Sequence, residues 1–295
     1  MTNPQDDFNA YLKEQLSLYG SVMVPVKASL FNRIIHPRYS PFKLHPNPED
    51  EFCDPSIGPN YGIITSYANH YTKYENMKMG DVTEDSRLMV EKVRPDGYMI
   101  LNGHHRWAAG LRLGLKTLPI KIVNLTQEED VEQMLKASKH EKRVSLDLDE
   151  VIFADSTDTP TEKPLGFPFS LRFKERIRRG VPALLVKLAS RGYDIWVYTA
   201  GYDSMDHVQA LLKHYGVATT GVITGIGRRG ETHKKVSAHV QSMLAETYRE
   251  TLHIDAHTIL RINNRTKEFE EYEISGEADW AESVKQILAG IADNA

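Results

Sequence analysis

Strand and helix patterns alternate through the second half of the chain. Short apolar runs, typical of buried strands, are separated by stretches in which apolar residues recur every three to four positions. The pattern predicts strands at 143–147, 194–199, 221–224 and 251–255, a strand pair within 258–274, and helices at 172–190, 203–215, 234–248 and 280–292. This alternation favours an α/β fold with a parallel sheet and helices on both faces, in which ligands bind at the carboxyl ends of the strands.

The first half is less regular and predicts an α+β arrangement. Its clearest part is a strand, a Pro-Asp-Gly turn and a second strand at 88–102, then a helix at 104–115 and a strand at 118–125. Upstream, the pattern predicts an amphipathic helix at 7–20 and a strand at 21–31. Residues 36–60 contain six prolines, which favours an ordered loop over regular structure.

A polar stretch at 136–142 separates a helical pattern from the apolar strand at 143–147. A chain of 295 residues is long for a single core, and a break at this stretch gives two parts of ordinary domain size. The sequence therefore predicts a first domain at 1–138 and a second domain at 142–295.

Charge and cysteine content argue against several classes of protein. A net charge of −4 provides no basic field over the whole chain, which argues against binding along an extended nucleic acid. The single cysteine, Cys53, rules out an internal disulfide framework and a Cys-rich zinc site. The first residues lack the apolar stretch of a signal peptide, and no apolar run is long enough to predict a membrane span. We therefore expect a cytoplasmic enzyme or binding protein with no membrane partner.

Two carboxylates, Asp147 and Asp149, lie at the end of the first strand predicted in the second half. Residues two positions apart in a strand point to the same side, and the carboxyl end of this strand faces the predicted crevice. One carboxylate there can attack phosphorus while the other transfers the proton of the leaving group. Carboxylate oxygens also suit octahedral Mg²⁺. Because the pattern is short, a solvated loop after a buried strand is the alternative.

Later segments of the second half add compatible groups. Thr199 ends the next apolar strand, where a hydroxyl and nearby backbone N–H groups can hold a phosphoryl oxygen. Lys234 and Lys235 lie at the start of a later helix, where an ammonium group can neutralise charge between phosphate and nucleophile. Asp255 ends a fourth apolar strand and is suitable as a metal ligand.

The order DLDEV, strand-Thr, helix-Lys, strand-Asp resembles the haloacid dehalogenase (HAD) superfamily of phosphotransferases over about 150 residues. The resemblance implies a Rossmannoid domain in which Asp147 is the nucleophile that forms an aspartyl-phosphate. It implies that Asp149 is the general acid and base and that Thr199 binds the phosphoryl group. Either Lys234 or Lys235 is then the charge-neutralising lysine, and the sequence does not choose between them.

The same resemblance implies a Mg²⁺ site formed by Asp147, Asp149 and Asp255, with the backbone carbonyl of Asp149 as the usual further ligand. The chain departs from the family in having Ala256 where a second acid often stands, which implies weaker metal binding or a shell completed by water. Only about 50 residues separate Asp149 from Thr199, so we expect a minimal cap and an open site.

A second candidate site lies where a predicted strand of the first half runs directly into a helix. Gly103 allows a tight turn, after which the N–H groups of the helix start can bind an anion, reinforced by the helix dipole. Arg106 can contact two phosphate oxygens at once, and His104 or His105 can donate further hydrogen bonds. The alternative is that the two histidines cap the helix or lie on the surface.

The order strand, Gly-His-His-Arg, helix, Gly, strand resembles the ParB/sulfiredoxin superfamily over roughly residues 20–125. That superfamily includes DNA-partition proteins that bind nucleoside triphosphates, sulfiredoxins and small-molecule kinases. Sulfiredoxins carry cysteine where His104 stands, and Cys53 is distant in the sequence, so sulfinic-acid repair is disfavoured. No obvious basic helix-turn-helix pattern follows, which disfavours a DNA-partition role. The resemblance therefore implies a kinase-like domain that binds ATP or another nucleotide.

A kinase also needs a base for its acceptor. The proline-containing loop upstream of the motif offers Glu51 and, as second choice, Glu49. A solvated acidic loop explains these residues equally well, because acidic side chains are usually exposed.

Two interpretations of the whole chain stay open. In the first, a nucleotide-binding, kinase-like domain is joined to a phosphatase whose substrate is a phosphorylated small molecule, a nucleotide or a nucleic-acid end. In the second, the first domain is a non-catalytic nucleotide sensor or a nucleic-acid-binding module that regulates or recruits the phosphatase. Basic stretches at 172–180 and 227–235 can steer an anionic substrate in either case, or are simply solvated surface.

Overall fold

The computed structural model describes residues 4–35, 38–73, 86–154, 159–226, 231–274 and 280–293. These residues form a mixed α/β protein with parallel and antiparallel strands, divided into two compact units between Asn124 and Leu125. No helix in this part of the chain is long and apolar enough to cross a membrane.

The first unit contains α1 (Pro4–Tyr19), β1 (Val24–Pro25), α2 (Leu30–Ile35), β2 (Arg38–Tyr39), β3 (Leu44–His45), α3 (Tyr61–Lys73), β4 (Leu88–Arg94), β5 (Tyr98–Asn102), α4 (His104–Arg112) and β6 (Leu118–Val123). Its sheet has the order β2-β6-β4-β5-β3, with β1 paired to β4. The hairpin of β4 and β5, helix α4 and strand β6 confirm the elements predicted for 88–125, and α1 confirms the helix predicted at 7–20. The strand predicted at 21–31 is wrong beyond β1, because α2 begins at Leu30.

Trp107 lies at the centre of the core of the first unit. Its side chain is fully buried, and its Nε1–H donates to the carbonyl oxygen of Pro41 at 2.8 Å. The rings of Phe8 and Phe52 contact it edge-on. Helix α4 is thereby tied to α1 and to the proline-containing segment, which positions the start of α4 for the site described below.

The second unit contains α5 (Glu128–Lys136), β7 (Lys142–Asp147), α6 (Val181–Ser190), β8 (Tyr193–Thr199), α7 (Met205–His214), β9 (Gly221–Thr224), α8 (Glu231–Thr247), β10 (Glu250–Ile254), β11 (Thr258–Asn263), β12 (Phe269–Glu273) and α9 (Trp280–Asp293). Its sheet has the order β12-β11-β10-β7-β8-β9. Strands β10, β7, β8 and β9 are parallel, while β11 and β12 are antiparallel to their neighbours. The alternating pattern predicted for this half is confirmed.

The direction of the connections in this sheet reverses at β7. The chain passes from β7 to β8 and β9 on one side, and then crosses to β10 on the other side of β7. In open α/β sheets the crevice outside the carboxyl ends of the strands at such a reversal is the usual ligand-binding position. The topology therefore predicts a ligand-binding site at the carboxyl ends of β7 and β10.

The helix predicted at 172–190 is wrong in its first half. Helix α6 begins at Val181, and the preceding residues form isolated bridges with other segments, Phe153 with Ile177 and Thr161 with Arg178. Phe173, Ile177 and Val181 are spaced four apart and are all buried, which mimics a helical period. The side chains of Phe173 and Ile177 reach the core from a backbone that is not helical.

The division between the units also differs from the predicted boundary at 138–142. Helix α5 belongs to the second unit, because its Val131 and Met134 pack in one buried cluster with Trp196, Ile223 and Val240. The polar stretch after α5 is therefore a turn within the second unit rather than a linker between domains.

Candidate active site

Asp147 ends β7 and Asp255 directly follows β10, the neighbouring parallel strand at the reversal of the sheet. The pairing register of β7 and β10 places the residue after β10, Asp255, beside Asp147 at the carboxyl end. On the other side of β7, Asp147 pairs with Tyr198, the residue before Thr199. These predicted site residues meet because parallel strands end at the same edge of a sheet.

The Asp147 carboxylate is held by the turn that follows it. Its Oδ1 accepts hydrogen bonds from the backbone N–H groups of Asp149 at 2.7 Å and Glu150 at 2.8 Å. Burial raises the pKa of Asp147, the nearby carboxylates of Asp149 and Asp255 raise it further, and the two amide hydrogen bonds oppose the rise. Within the residues that the structure describes, Oδ2 of Asp147 has no hydrogen-bond partner. Oδ1 is thus held in place, and Oδ2 is available to attack an electrophile.

Thr199 orients the second carboxylate. Its fully buried hydroxyl donates to Oδ2 of Asp149 at 2.5 Å and accepts from the N–H of Gly201 at 2.8 Å. This short hydrogen bond holds Asp149 in one orientation although its side chain is exposed. The predicted contact of the Thr199 hydroxyl with a phosphoryl group stays a prediction, and in this structure the hydroxyl donates to Asp149.

The Mg²⁺ site predicted from Asp147, Asp149 and Asp255 stays a prediction. No three side chains of Asp, Glu, His or Cys in the described ranges form a group able to hold a metal ion. The Asp149 carboxylate accepts a hydrogen bond from Thr199. Asp147 and Asp255 remain at the strand ends. Mg²⁺ is commonly held by one or two carboxylates and keeps several waters, so this oxygen donor set fits the ion with a largely aqueous shell.

The two candidate lysines lie at the surface. Lys234 and Lys235 are exposed near the start of α8, and the structure does not choose between them. Part of the basic stretch predicted at 227–235, residues 227–230, lies outside the described residues. In the other stretch, the side chains of Arg172, Lys174, Arg176 and Arg179 are exposed.

Tyr198 and His253 are residues that the sequence analysis missed. The Tyr198 hydroxyl lies 2.9 Å from Nε2 of His253, and their rings stack with centroids 5.4 Å apart. Burial, together with the carboxylates of Asp147 and Asp255, raises the pKa of Tyr198, while burial lowers the pKa of His253. The alternation of side chains along a strand could have identified His253, because residues two positions apart, such as His253 and Asp255, point to the same side.

In the first unit, Gly103 and Arg106 form the start of α4. Gly103 has a φ of 106°, in the left-handed region that favours glycine. A Cβ atom there would lie 3.0 and 3.1 Å from the Arg106 guanidinium nitrogens. Nη2 of Arg106 donates to the side-chain oxygen of Asn102 at 3.1 Å. The glycine therefore lets the guanidinium fold against the beginning of the helix.

The two histidines of the motif hold the upstream loop. Nε2 of the buried His104 accepts from the backbone N–H of Asn47 at 3.1 Å, and its Nδ1 lies 3.4 Å from Asp50 Oδ1. Nε2 of His105 accepts from the N–H of Asn60 at 3.2 Å. Burial lowers the pKa of His104 to about 4 and also lowers that of His105. The donation of a hydrogen bond to an anion by His104 or His105 stays a prediction, and in this structure both nitrogens of His104 face protein atoms.

The same loop carries Glu51 and Cys53. Glu51 is exposed, and the next residue, Phe52, stacks on His104 at 5.5 Å and contacts the His105 ring edge-on at 5.0 Å. Cys53 follows Phe52 directly and is buried. Burial raises the pKa of its thiol to about 12, so a reactive thiolate is disfavoured at neutral pH.

Family comparison supports the ParB-like interpretation of the segment around Gly103 and Arg106. Residues 80–139 match the ParB N-terminal domain family. The ParB-like segment spans β4, β5, α4, β6 and α5, and so extends past Asn124 into the second unit. Comparisons with curated proteins and with solved structures gave no match. The predicted likeness of the second unit to the HAD superfamily therefore stays a prediction.

Proposed function

We propose that the second unit is a Mg²⁺-dependent phosphohydrolase of the HAD type that works through an aspartyl-phosphate on Asp147. The observation that carries this proposal is the state of the Asp147 carboxylate. Two amides fix its Oδ1, and its Oδ2 has no partner among the described residues, at the edge where the sheet reverses. Such an arrangement suits a nucleophile.

The chemistry follows from the two carboxylates. Oδ2 of Asp147 attacks phosphorus, the bond from phosphorus to the leaving oxygen breaks, and the Asp149 carboxyl group gives that oxygen its proton. Asp149 then takes a proton from a water molecule that attacks the aspartyl-phosphate, the bond to Asp147 breaks, and inorganic phosphate leaves. Thr199 keeps Asp149 oriented in both steps. Mg²⁺ held by Asp147 and Asp255 would offset the negative charge of the phosphoryl group.

The substrate class follows from the surroundings of the site. The described residues between Asp149 and α6 contain bridges and one 3-10 turn, Phe169–Leu171, and they build no separate cap domain. The exposed basic side chains of the 172–180 stretch favour an anionic substrate. The proposed substrate is therefore a phosphorylated small molecule, a nucleotide or a phosphorylated nucleic-acid end.

We also propose that the ParB-like unit binds ATP or another nucleotide at Gly103 and Arg106. The guanidinium beside the start of α4 supports this proposal, because helix N-termini and arginine both favour phosphate oxygens. Glu51 is carried by the loop that His104 and His105 hold, so a kinase with Glu51 as base is one form of the proposal. A nucleotide sensor without transfer is the other form.

A substrate screen tests the phosphatase. The protein with Mg²⁺ is assayed on nucleotides, phospho-amino acids, sugar phosphates and phosphorylated nucleic-acid ends, beside Asp147→Asn and the control Glu150→Gln. We expect Asp147→Asn to lower kcat by about 10³-fold or more, since it removes the nucleophile. Glu150→Gln should stay within a few fold, because only its backbone contacts Asp147. Full activity in Asp147→Asn would reject the aspartyl-phosphate.

Nucleotide binding and transfer are measured separately for the first unit. We expect Arg106→Gln to weaken ATP binding in calorimetry, and unchanged binding would reject the Gly103–Arg106 site. If Glu51→Gln binds ATP normally but no longer transfers its γ-phosphate, the kinase form is correct. If the wild-type protein binds ATP and transfers no phosphate to any acceptor, the sensor form is correct.

A further inference from the structure

Arg178 binds the turn that follows the proposed nucleophile. Its Nε donates to the carbonyl oxygen of Val151 at 3.0 Å, and its Nη2 donates to that of Glu150 at 2.9 Å. Its backbone N–H donates to the carbonyl oxygen of Ile152 at 2.9 Å. One residue therefore holds three consecutive carbonyl groups of the turn that contains Asp149.

Trp280 continues this chain of contacts to the other strand end. The guanidinium carbon of Arg178 lies 5.5 Å from the centroid of the Trp280 ring. The indole Nε1–H of Trp280 donates to the carbonyl oxygen of Ala256 at 2.8 Å. Ala256 directly follows Asp255, and its own N–H donates to the Asp255 carboxylate. Arg178 and Trp280 thus join the turn after Asp147 to the turn after β10.

Gly180 allows the close approach that these contacts need. Its φ of 84° lies in the left-handed region, and a Cβ atom there would come within 2.6 Å of the Ala281 Cβ. Ala281 is the neighbour of Trp280 in α9. The segment that ends at Gly180 therefore packs directly against the start of this helix, which brings the Arg178 side chain over the indole ring.

We propose that Arg178 and Trp280 are positioning residues that set the distance between the Asp147–Asp149 turn and Asp255, and thereby the affinity for Mg²⁺ and the alignment of Asp149. This inference rests on the function proposed for the second unit. Groups that orient metal-binding side chains commonly change metal affinity or activity by 10–100-fold when they are mutated. Arginine is required because a planar guanidinium can donate from two nitrogens while its face stacks on an aromatic ring, and an ammonium group cannot.

The test compares Arg178→Lys and Trp280→Phe with the control Arg265→Lys, which changes an exposed arginine between β11 and β12 that has no role in the proposed site. Trp280→Phe keeps an aromatic ring beside Arg178, and it removes the N–H that reaches Ala256 together with part of the ring system. Mg²⁺ binding is measured by calorimetry without substrate, and kcat is measured as a function of Mg²⁺ concentration. We expect both variants to bind Mg²⁺ about 10–100-fold more weakly and to regain rate at high Mg²⁺, while Arg265→Lys behaves as wild type.

Mg²⁺ affinity and kcat within twofold of wild type in folded Trp280→Phe and Arg178→Lys would overturn the inference. A purely structural role predicts a lower Tm with unchanged Mg²⁺ affinity, and this result also overturns it. If Arg178→Lys does not fold, Trp280→Phe decides the question alone. Two different results would reject the proposed function itself: wild-type protein that binds no Mg²⁺, or an Asp147→Asn variant that keeps its phosphatase activity.

Discussion

The hydroxyl of Thr199 can be removed with almost no change in shape. Thr199→Val deletes one buried hydroxyl that donates to Asp149 at 2.5 Å and accepts from Gly201 at 2.8 Å. A hydrogen bond to a charged group contributes about 1.5–3 kcal/mol. Asp149 is exposed and regains water in the variant, so the lower part of this range applies. We expect a loss of about 1–2 kcal/mol in the free energy of unfolding, or a Tm lower by about 2–8 °C.

The catalytic effect should exceed the effect on stability, because Asp149 loses its fixed orientation. A misplaced proton donor matters most when the leaving oxygen is strongly basic. We therefore expect kcat of Thr199→Val to fall about 100-fold with phenyl phosphate and about 10-fold or less with p-nitrophenyl phosphate. Thr199→Ser, which keeps the hydroxyl, is the matched control and should retain most of the activity on both substrates. Equal losses on the two substrates, or a serine variant as poor as the valine variant, would refute this role of Thr199.

Three further predictions concern stability and metal binding. The free energy of unfolding, measured in urea, should fall by up to about 3 kcal/mol as the pH is lowered from 6.5 to 4. In this range His104 binds a proton in the unfolded chain, whereas the buried ring, with a pKa of about 4, stays neutral in the folded protein. The variant His104→Gln should lose most of this pH dependence. Gly180→Ala should destabilise the protein by about 1–3 kcal/mol more than Gly216→Ala, since both glycines have left-handed φ angles but only Gly180 faces a neighbour, Ala281. Asp255→Asn should weaken Mg²⁺ binding at least about 10-fold in calorimetry, and an unchanged affinity would remove Asp255 from the proposed site.

Local patterns predicted most elements and the strand-end residues of the candidate site. Asp147, Thr199 and Asp255 each end an apolar run, and a parallel sheet brings such ends together whatever their distance in the sequence. The turn at Gly103 is likewise local, since it depends on one glycine between a strand and a helix.

Long-range pairings could not be predicted in this way. Spacing alone makes 172–180 look helical, and nothing local shows that Arg178 reaches the carbonyl groups of Glu150 and Val151. From the sequence alone, the histidines of the motif are candidates to donate hydrogen bonds to an anion. Only the structure shows that the backbone N–H groups of Asn47 and Asn60 donate to the Nε2 atoms of His104 and His105. The same limit applies to α5, whose partners lie on strands and helices far along the chain.

The position of α5 decides how the two halves can be separated for study. A cut at the polar stretch after α5 would leave Val131 and Met134 on the wrong fragment, and Trp196, Ile223 and Val240 would lose part of their cover. Such a C-terminal fragment should aggregate and could be mistaken for an inactive enzyme. A fragment that begins at Leu125 keeps this layer whole, and it divides the ParB-like segment before its last helix.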